Sequence, residues 1–170
     1  MMRVGAAILL ALVAAAPAAR PALVLAGNGL SVGSTVIPFD RTPRALAVQV
    51  VSAALGPPVR QGNRGDCGTD HIVYYAEFRG QFSLSFVGGK FVGWTADAAG
   101  PKTARGIGVG ATLAAVRRAY PDADVNPSEE ASGGLGANFE REGGPNGWLE
   151  GTRPTSKVIG LYGGATCIVG

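Results

Sequence analysis

The densest group of reactive side chains lies at residues 66–71, which read Asp-Cys-Gly-Thr-Asp-His. A thiol beside an imidazole and a carboxylate is what a cysteine nucleophile needs, and the two carboxylates with the imidazole could instead ligate a metal. Neighbours in sequence rarely reach the required geometry, however, and His71 is the only histidine of the chain. The pattern therefore favours a structural role for Cys67, with no catalytic residue and no metal site.

Two further patterns in the sequence resemble motifs that carry chemistry. The segment Gly106–Gly110 precedes a predicted helix, as do loops that aim backbone N–H groups at phosphate. The strand–helix–strand unit and the remaining glycine or lysine positions of such fingerprints are missing, so a turn is predicted. No feature of the sequence holds Glu77, Glu140, Glu142 and Glu150 in the close pair that glycoside hydrolysis requires. No cofactor is predicted.

Length and composition indicate one domain with a substantial core, since 46% of the 170 residues are hydrophobic. The formal charge is only +3, and the basic residues are scattered, with Arg117 and Arg118 the only adjacent pair. This distribution lacks the basic patch of nucleic-acid-binding proteins, so no nucleic acid is predicted as a partner.

The N-terminal region has the composition of a signal peptide. Met1–Arg3 supplies a positive charge, Val4–Ala16 is an unbroken apolar run, and Ala16-Pro17-Ala18 places small residues where a signal peptidase needs them. We expect a signal peptide over residues 1–19, with cleavage between 18 and 26, and a single globular domain over 27–170. The run is shorter than the roughly twenty residues of a membrane-spanning helix. Asn28 stands where a lipoprotein carries its acylated cysteine. We therefore expect no lipid anchor, and no transmembrane segment after signal removal.

Export changes how the two cysteines are interpreted. An even pair in an oxidising compartment favours a disulfide, here between Cys67 and Cys167. It would join the start of the first group of strands to the C-terminal segment. The loop of about a hundred residues corresponds to a stabilisation of up to roughly 4 to 5 kcal/mol in the chain-entropy treatment.

Two helices are predicted. The first has Thr42 as its N-cap and Pro43 as its first residue, and it ends at Gly56 before two prolines. The second is capped by Thr112 and ends at Pro121. The residues predicted to face the core are Leu46, Val50 and Ala54 in the first helix and Leu113, Val116 and Tyr120 in the second.

The remaining segments are strand-like, which predicts an α+β fold with helices packed on antiparallel sheet. Phe82, Leu84 and Phe86 alternate with serines, as in a strand with one buried face, and Gly88-Gly89 predicts a type I′ turn. The predicted strands are 72–78, 82–86, 90–95, 137–141, 148–150 and 157–162. Residues 28–39 are predicted as a strand or irregular entry, and 59–69 and 126–136 as loops.

An internal repeat can be aligned in two registers. Residues 29–35 match 106–112 letter by letter at an offset of 77, but no helix is predicted after the first copy. Aligning the caps Thr42 and Thr112 gives an offset of 70, close to the 67 that separates two similar late strands. We therefore predict two tandem repeats that share one core. Repeat 1 spans 28–95 and repeat 2 spans 106–170, with a linker at 96–105.

Four aromatic residues are candidates for partner binding. Tyr74 and Tyr75 are adjacent in a strand, so one of them must face away from the core. Trp94 and Trp148 lie at strand ends beside glycines. Exposed Trp and Tyr frequently anchor protein interfaces, and burial in the core is the alternative for each of the four.

Two units of capped helix and antiparallel meander behind a signal peptide resemble the β-lactamase inhibitory protein (BLIP) fold. They resemble more distantly the single-unit SmpA/BamE outer-membrane assembly lipoproteins. Short motifs of this chain are also similar to uncharacterised exported bacterial proteins. These motifs are Phe39-Asp40, Leu55–Pro58, Cys67-Gly68, Phe91–Trp94 and Gly106–Thr112, with a cysteine near the end. The chain departs from the inhibitor in having one candidate disulfide across both halves instead of one in each.

These features predict a secreted or periplasmic, non-catalytic module that binds another protein through the exposed face of its sheet or through its loops. One alternative is an envelope-associated structural or assembly factor. Another is a small hydrolase that uses the Asp66–His71 segment.

Overall fold

The computed structural model describes residues 19–65, 73–128 and 136–166. Within them lie helices α1 (Arg44–Leu55) and α2 (Leu113–Ala119). The strands are β1 (Leu23–Ala26), β2 (Gly29–Val32), β3 (Thr35–Pro38), β4 (Arg60–Arg64), β5 (Val73–Phe78), β6 (Phe82–Val87), β7 (Lys90–Ala96), β8 (Lys102–Thr103), β9 (Asp124–Ser128), β10 (Gly136–Glu140), β11 (Asn146–Leu149) and β12 (Val158–Gly164). The predicted α+β class is confirmed, with more strand than helix.

The strands form two sheets. The smaller has the order β3-β2-β1-β8 and is antiparallel except where β8 runs parallel to β1. The larger has the order β4-β5-β6-β7-β12-β11-β10-β9 and is antiparallel throughout. It consists of two four-stranded meanders, one after each helix, which meet where β7 pairs with β12.

The folded region begins earlier than the predicted domain start at residue 27. Leu23 and Leu25 of β1 are buried, and this strand pairs with β2 along its whole length. The predicted entry at 28–39 is a hairpin of β2 and β3, and the predicted linker at 96–105 supplies β8. The predicted turn at Gly88-Gly89 is confirmed, since both residues have positive φ, 56° and 74°.

One hydrophobic core lies between the smaller sheet, the helices and one face of the larger sheet. Its buried side chains come from both meanders and from both helices. The largest that are fully buried are Trp94, Phe78, Phe82, Phe86, Phe91 and Phe139. Burial of this apolar surface supplies the main driving force for folding.

Helix α1 is rotated relative to the prediction. Its buried residues are Ala47, Val51 and Ala54, whereas Leu46 is 46% exposed and Val50 is only partly buried. The helix is apolar almost all round, so its hydrophobic pattern did not define one face.

The two helices also begin differently. Pro43 is the N-cap of α1 and has no side-chain cap, while the hydroxyl of Thr42 donates to the carbonyl of Pro38 at 2.7 Å. Thr42 therefore does not cap α1 as predicted. Thr112 does cap α2, because its Oγ1 accepts a hydrogen bond from the N–H of Ala115 at 3.2 Å. In the described ranges, neither helix has the length and apolar character needed to cross a bilayer.

Candidate functional site

The larger sheet has a face opposite the core, which we call the open face. Directly paired residues share a face. Tyr75 lies opposite Gly62 and Ser85, whereas the next residue, Ala76, lies opposite the buried Leu84. In order across the sheet, the open face carries Arg60, Gly62, Arg64, Tyr75, Glu77, Ser83, Ser85, Thr95, Tyr162, Gly160, Asn146, Trp148, Asn138, Glu140, Asn126 and Asp124.

Three half-buried aromatic side chains lie on the open face: Tyr75, Trp148 and Tyr162. The rings of Trp148 and Tyr162 contact each other, with centroids 4.6 Å apart and planes 31° from parallel. Trp148 lies directly across from Gly160, where a Cβ would come within 2.6 Å of the indole Cε3. Tyr75 lies across from Gly62 in a similar way, with a 3.3 Å approach. The glycines therefore leave the space in which these rings pack against the sheet.

The other two predicted aromatic residues lie elsewhere. Trp94 is 0% exposed and packs against Gly163 in the core, so its predicted role in partner binding is contradicted by its burial. Tyr74 lies on the core face, opposite Phe86, and is half-buried at the margin of the core. The guanidinium of Arg44 lies 4.1 Å from the centroid of its ring. Tyr75 and Trp148 are thus the two predicted residues that the fold places on the open face.

The β4 edge of the open face is basic. The guanidinium groups of Arg60 and Arg64 lie 5.8 and 4.8 Å from the centroid of the Tyr75 ring. Arg60 also pairs with Glu77 at 2.7 Å, and this hydrogen bond, followed by the charge of Glu77, raises the pKa of Arg60. The pair is exposed and contributes little to stability, but it fixes the position of the Arg60 side chain.

The β9 edge of the open face is acidic. Asp124 lies directly opposite Glu140, and these two line a cleft of about 480 Å³ with Asp122, Glu142 and Arg141. Arg141 Nε donates to Asp122 at 2.7 Å, and this hydrogen bond holds the pKa of Asp122 below its ordinary value. Like charges directly opposite each other across two strands repel. A cationic group from a partner would relieve that repulsion.

The strip between the two edges contains polar groups with little access to water. Asn138 Nδ2 donates to Glu140 at 3.0 Å, while its Oδ1 is buried and has no hydrogen-bond partner in the described part of the chain. A buried acceptor without a partner costs about 1 to 3 kcal/mol.

Two pKa shifts mark the same strip. Burial raises the pKa of Asp97, and the charge of Arg64 opposes that increase. Although Asp97 as a whole residue is exposed, its Oδ1 lies only 3.0 Å from the position of a Cβ on Gly160, the residue directly opposite Trp148. Burial also raises the pKa of Tyr162, with a further contribution from the charge of Glu140.

The glycine segment before α2 serves the fold. Gly106 and Gly110 have φ of 81° and 90°, which glycine adopts without strain. The N–H of Gly110 donates to the carbonyl of Val158, and the N–H groups of Gly106 and Ile107 are bonded to Thr103. These amides therefore already have partners within the protein.

Three further features of the sequence could carry chemistry: Glu150, a metal site and the Asp66–His71 segment. Glu150 accepts a hydrogen bond from the Lys157 N–H at 3.0 Å in the β11–β12 turn. Across residues 19–65, 73–128 and 136–166, no three His, Cys, Asp or Glu side chains are grouped to hold a metal. Asp66–His71 and Cys167 lie outside the described residues. The disulfide and the thiol nucleophile thus stay predictions.

No protein-family model matches the chain, and no curated protein matches it. Among solved structures, the fold is similar to that of the uncharacterised protein YfeY from Escherichia coli. The TM-score is 0.51 at 13% sequence identity, over 86% of this chain and 97% of that one. At this identity the similarity shows the fold alone. The resemblance to the β-lactamase inhibitory protein and to SmpA/BamE proteins stays a prediction.

Proposed function

We propose that the protein is an exported, non-catalytic module that binds another protein through the open face. The observation that carries this proposal is the contact between the Trp148 and Tyr162 rings on a sheet face outside the core. Aromatic side chains at the centre of a patch, surrounded by polar residues, are typical of protein interfaces. Tyr75 is a third ring on the same face, in the first meander, and β6 and β7 lie between it and this pair.

The charges of the open face favour one orientation of the partner. Arg60 and Arg64 at the β4 edge favour acidic groups, whereas Asp124 and Glu140 at the β9 edge favour basic ones. Charges arranged in this way chiefly set orientation and association rate, and the buried aromatic groups supply most of the affinity. Binding should therefore weaken moderately with salt and strongly on loss of the rings.

We also propose that the two halves of the chain are tandem repeats. An isolated bridge joins the N-cap of each helix to the start of the last strand of its half, Pro43 to Lys90 and Thr112 to Lys157. These bridges correspond to offsets of 69 residues for the caps and 67 for the strands. The repeat register that they support is thus close to the cap alignment and differs from the letter-by-letter offset of 77.

The test is an affinity capture from culture supernatant and envelope extract of the source organism. Immobilised wild-type protein is compared with Trp148→Ala and Tyr162→Ala, and captured proteins are quantified by mass spectrometry. Val36→Ala is the control, because Val36 is 70% exposed in the smaller sheet, away from the open face.

We expect a protein that is retained by the wild type and by the control. Truncation of a central aromatic anchor should weaken its binding by about 2 kcal/mol or more, roughly thirtyfold. Equal retention by the Trp148 and Tyr162 variants, with unchanged far-UV circular dichroism, would place the interface elsewhere.

The proposal includes export and a Cys67–Cys167 disulfide. Thiol titration of exported, unreduced protein under denaturing conditions should find no free thiol. Two free thiols would contradict the disulfide and would return the hydrolase alternative at Asp66–His71.

A further inference from the structure

We infer that the protein partner places a lysine or arginine side chain over the Trp148–Tyr162 ring pair; this inference rests on the proposed function. The rings lie on the part of the open face that belongs to β9, β10, β11 and β12, which we call the acidic half. Its open-face residues include Asp124 and Glu140 and, as far as the structure describes them, no lysine or arginine. The acidic half therefore favours a basic partner segment, although the whole chain has a formal charge of +3.

The carboxylates of the acidic half are not neutralised within the protein. Asp124 and Glu140 are both exposed and lie directly opposite each other on neighbouring strands. Arg141 lines the same cleft, but its guanidinium is bound to Asp122 at 2.7 Å. Among the described residues, no basic side chain forms an ion pair with Asp124 or Glu140. Their mutual repulsion is thus left for a bound cation to relieve.

The ring pair lies beside these carboxylates. Burial raises the pKa of Tyr162 and the charge of Glu140 raises it further, so this carboxylate lies near the phenol. Tyr162 is also paired with Asn146, which lines the cleft together with Glu140. Trp148 lies directly opposite Asn138, whose Nδ2 donates to Glu140 at 3.0 Å. Carboxylates and aromatic rings therefore border one another on the acidic half.

The first meander shows how a ring on the open face is combined with cations. The guanidinium groups of Arg60 and Arg64 lie 5.8 and 4.8 Å from the centroid of the Tyr75 ring. In the part of the chain that the structure describes, no such group lies over Trp148 or Tyr162. The first meander thus supplies cations to its own ring, whereas the acidic half has rings and carboxylates without one. A cation from the partner completes the second arrangement.

A lysine or arginine side chain suits both kinds of group. Its charged end donates hydrogen bonds to carboxylates, the ring faces attract the same charge, and its apolar stem covers ring surface. A metal ion would use the carboxylates alone, and no three such ligands converge within residues 19–65, 73–128 and 136–166. The partner segment that covers β9 to β12 is therefore basic.

The test is an NMR titration of the purified protein with a short peptide that alternates glycine with lysine. The chain has two tryptophans, so two indole N–H signals report on it. The peptide should shift the signal of Trp148 and leave that of the buried Trp94 unchanged. The same peptide with acetylated lysines, and a glycine–glutamate peptide, should not shift Trp148. Absence of a Trp148 shift at about 5 mM lysine peptide, or an equal shift with either control peptide, would overturn the inference.

Two matched variants locate the charge. Glu140→Gln removes a carboxylate from the acidic half and should weaken peptide binding about fivefold, whereas Glu77→Gln on the first meander should change it less than about twofold. Addition of Asp124→Asn to Glu140→Gln should increase the loss to about tenfold or more. These two changes relieve like-charge repulsion, so the urea midpoint should not fall. Equal losses for Glu140→Gln and Glu77→Gln would reflect net charge alone and would contradict the assigned position.

Failure of this inference differs from failure of the proposed function. A captured protein that is lost on Trp148→Ala, together with no response to the lysine peptide, would keep the open face as the interface and overturn only its basic partner segment. Unchanged capture by Trp148→Ala would overturn the proposed function and this inference with it.

Discussion

Trp94 links the two sheets, and its replacement by phenylalanine tests whether that link stabilises the fold. The indole is fully buried, donates to the Ala26 carbonyl, and fills the space that Gly163 leaves in β12. Phenylalanine keeps an aromatic ring at the same position. It loses the N–H donor and the atoms of the second ring.

The expected cost follows from these two losses. A hydrogen bond of this kind contributes about 1 kcal/mol, and more if its acceptor is left buried without a partner. The missing ring atoms leave a small cavity that the packed sheets cannot fully close, which adds about 1 to 2 kcal/mol. Trp94→Phe should therefore lower the free energy of unfolding by about 2 to 3 kcal/mol, a large share of the typical 5 to 15 kcal/mol of a domain.

The assay is urea unfolding followed by far-UV circular dichroism, with Trp148→Phe as the matched control. The control makes the same chemical change on the open face, where the indole is half-buried, and should cost less than about 1 kcal/mol. Each variant keeps one of the two tryptophans as a fluorescent reporter of its own region. Equal costs for the two variants, or a change within about 0.5 kcal/mol for Trp94→Phe, would refute the link between the sheets.

Three further measurements probe single contacts. Thr112→Ala removes the oxygen that caps α2 at the Ala115 N–H and should cost about 1 kcal/mol; Thr112→Ser keeps the hydroxyl and should unfold near the wild-type urea midpoint, so coincident midpoints for the two variants would contradict the cap. Burial raises the pKa of Asp97, so the folded state favours the neutral carboxyl group. The stability that this carboxyl group contributes is therefore fully present below its unfolded-state pKa and is lost as pH rises through its folded-state pKa. Asp97→Asn should thus be at least as stable as the wild type at neutral pH, with a difference that shrinks on acidification; a difference that grows at low pH would oppose this. Arg141→Met removes the hydrogen bond that lowers the pKa of Asp122, so that pKa should rise in a carboxyl NMR titration. In the wild type, Asp122 contributes stability that is present above its unfolded-state pKa and is lost as pH falls through its folded-state pKa, and this contribution should disappear in the variant. An unchanged Asp122 pKa would show that the Arg141 hydrogen bond does not cause the shift.

Local signals predicted the parts of the fold that depend on a few neighbouring residues. Gly88-Gly89 forms the turn that its sequence demands, and Thr112 caps α2. Phe82, Leu84 and Phe86 are buried on one face of β6, as their alternation with serine indicates. In each of these cases the determining contacts lie within a few positions along the chain.

The elements that were missed lack such a signal. β4 and β9 are edge strands of mostly polar residues, and an edge strand needs no buried alternation to hold its place. β1 was assigned to the region of signal cleavage, because its apolar residues directly follow the leader sequence. The pairing of β7 with β12 depends on residues almost seventy positions apart, which no local pattern records.

The same reasoning explains the outcome for the candidate site. The sequence identifies Tyr75 because it adjoins Tyr74 in a strand, so that one of the two must face away from the core. It identifies Trp148 because this residue lies at a strand end beside a glycine. Trp94 was misassigned because the segment that covers it, around Ala26, was not expected to fold. Tyr162 was missed, although its alternate neighbours Gly160 and Gly164 indicate a strand face without core side chains.

The junction of β7 and β12 has a consequence for the order of events during synthesis. β7 leaves the ribosome with one edge unpaired, and that edge is closed only when Val158–Gly164 has followed it. Contacts between such distant segments slow folding, and an open edge invites pairing with other chains. The first meander is therefore held incomplete until the second has been made. Until β12 pairs with it, the free edge of β7 can pair with other chains, so we expect chaperones or rapid synthesis of the second meander to protect it.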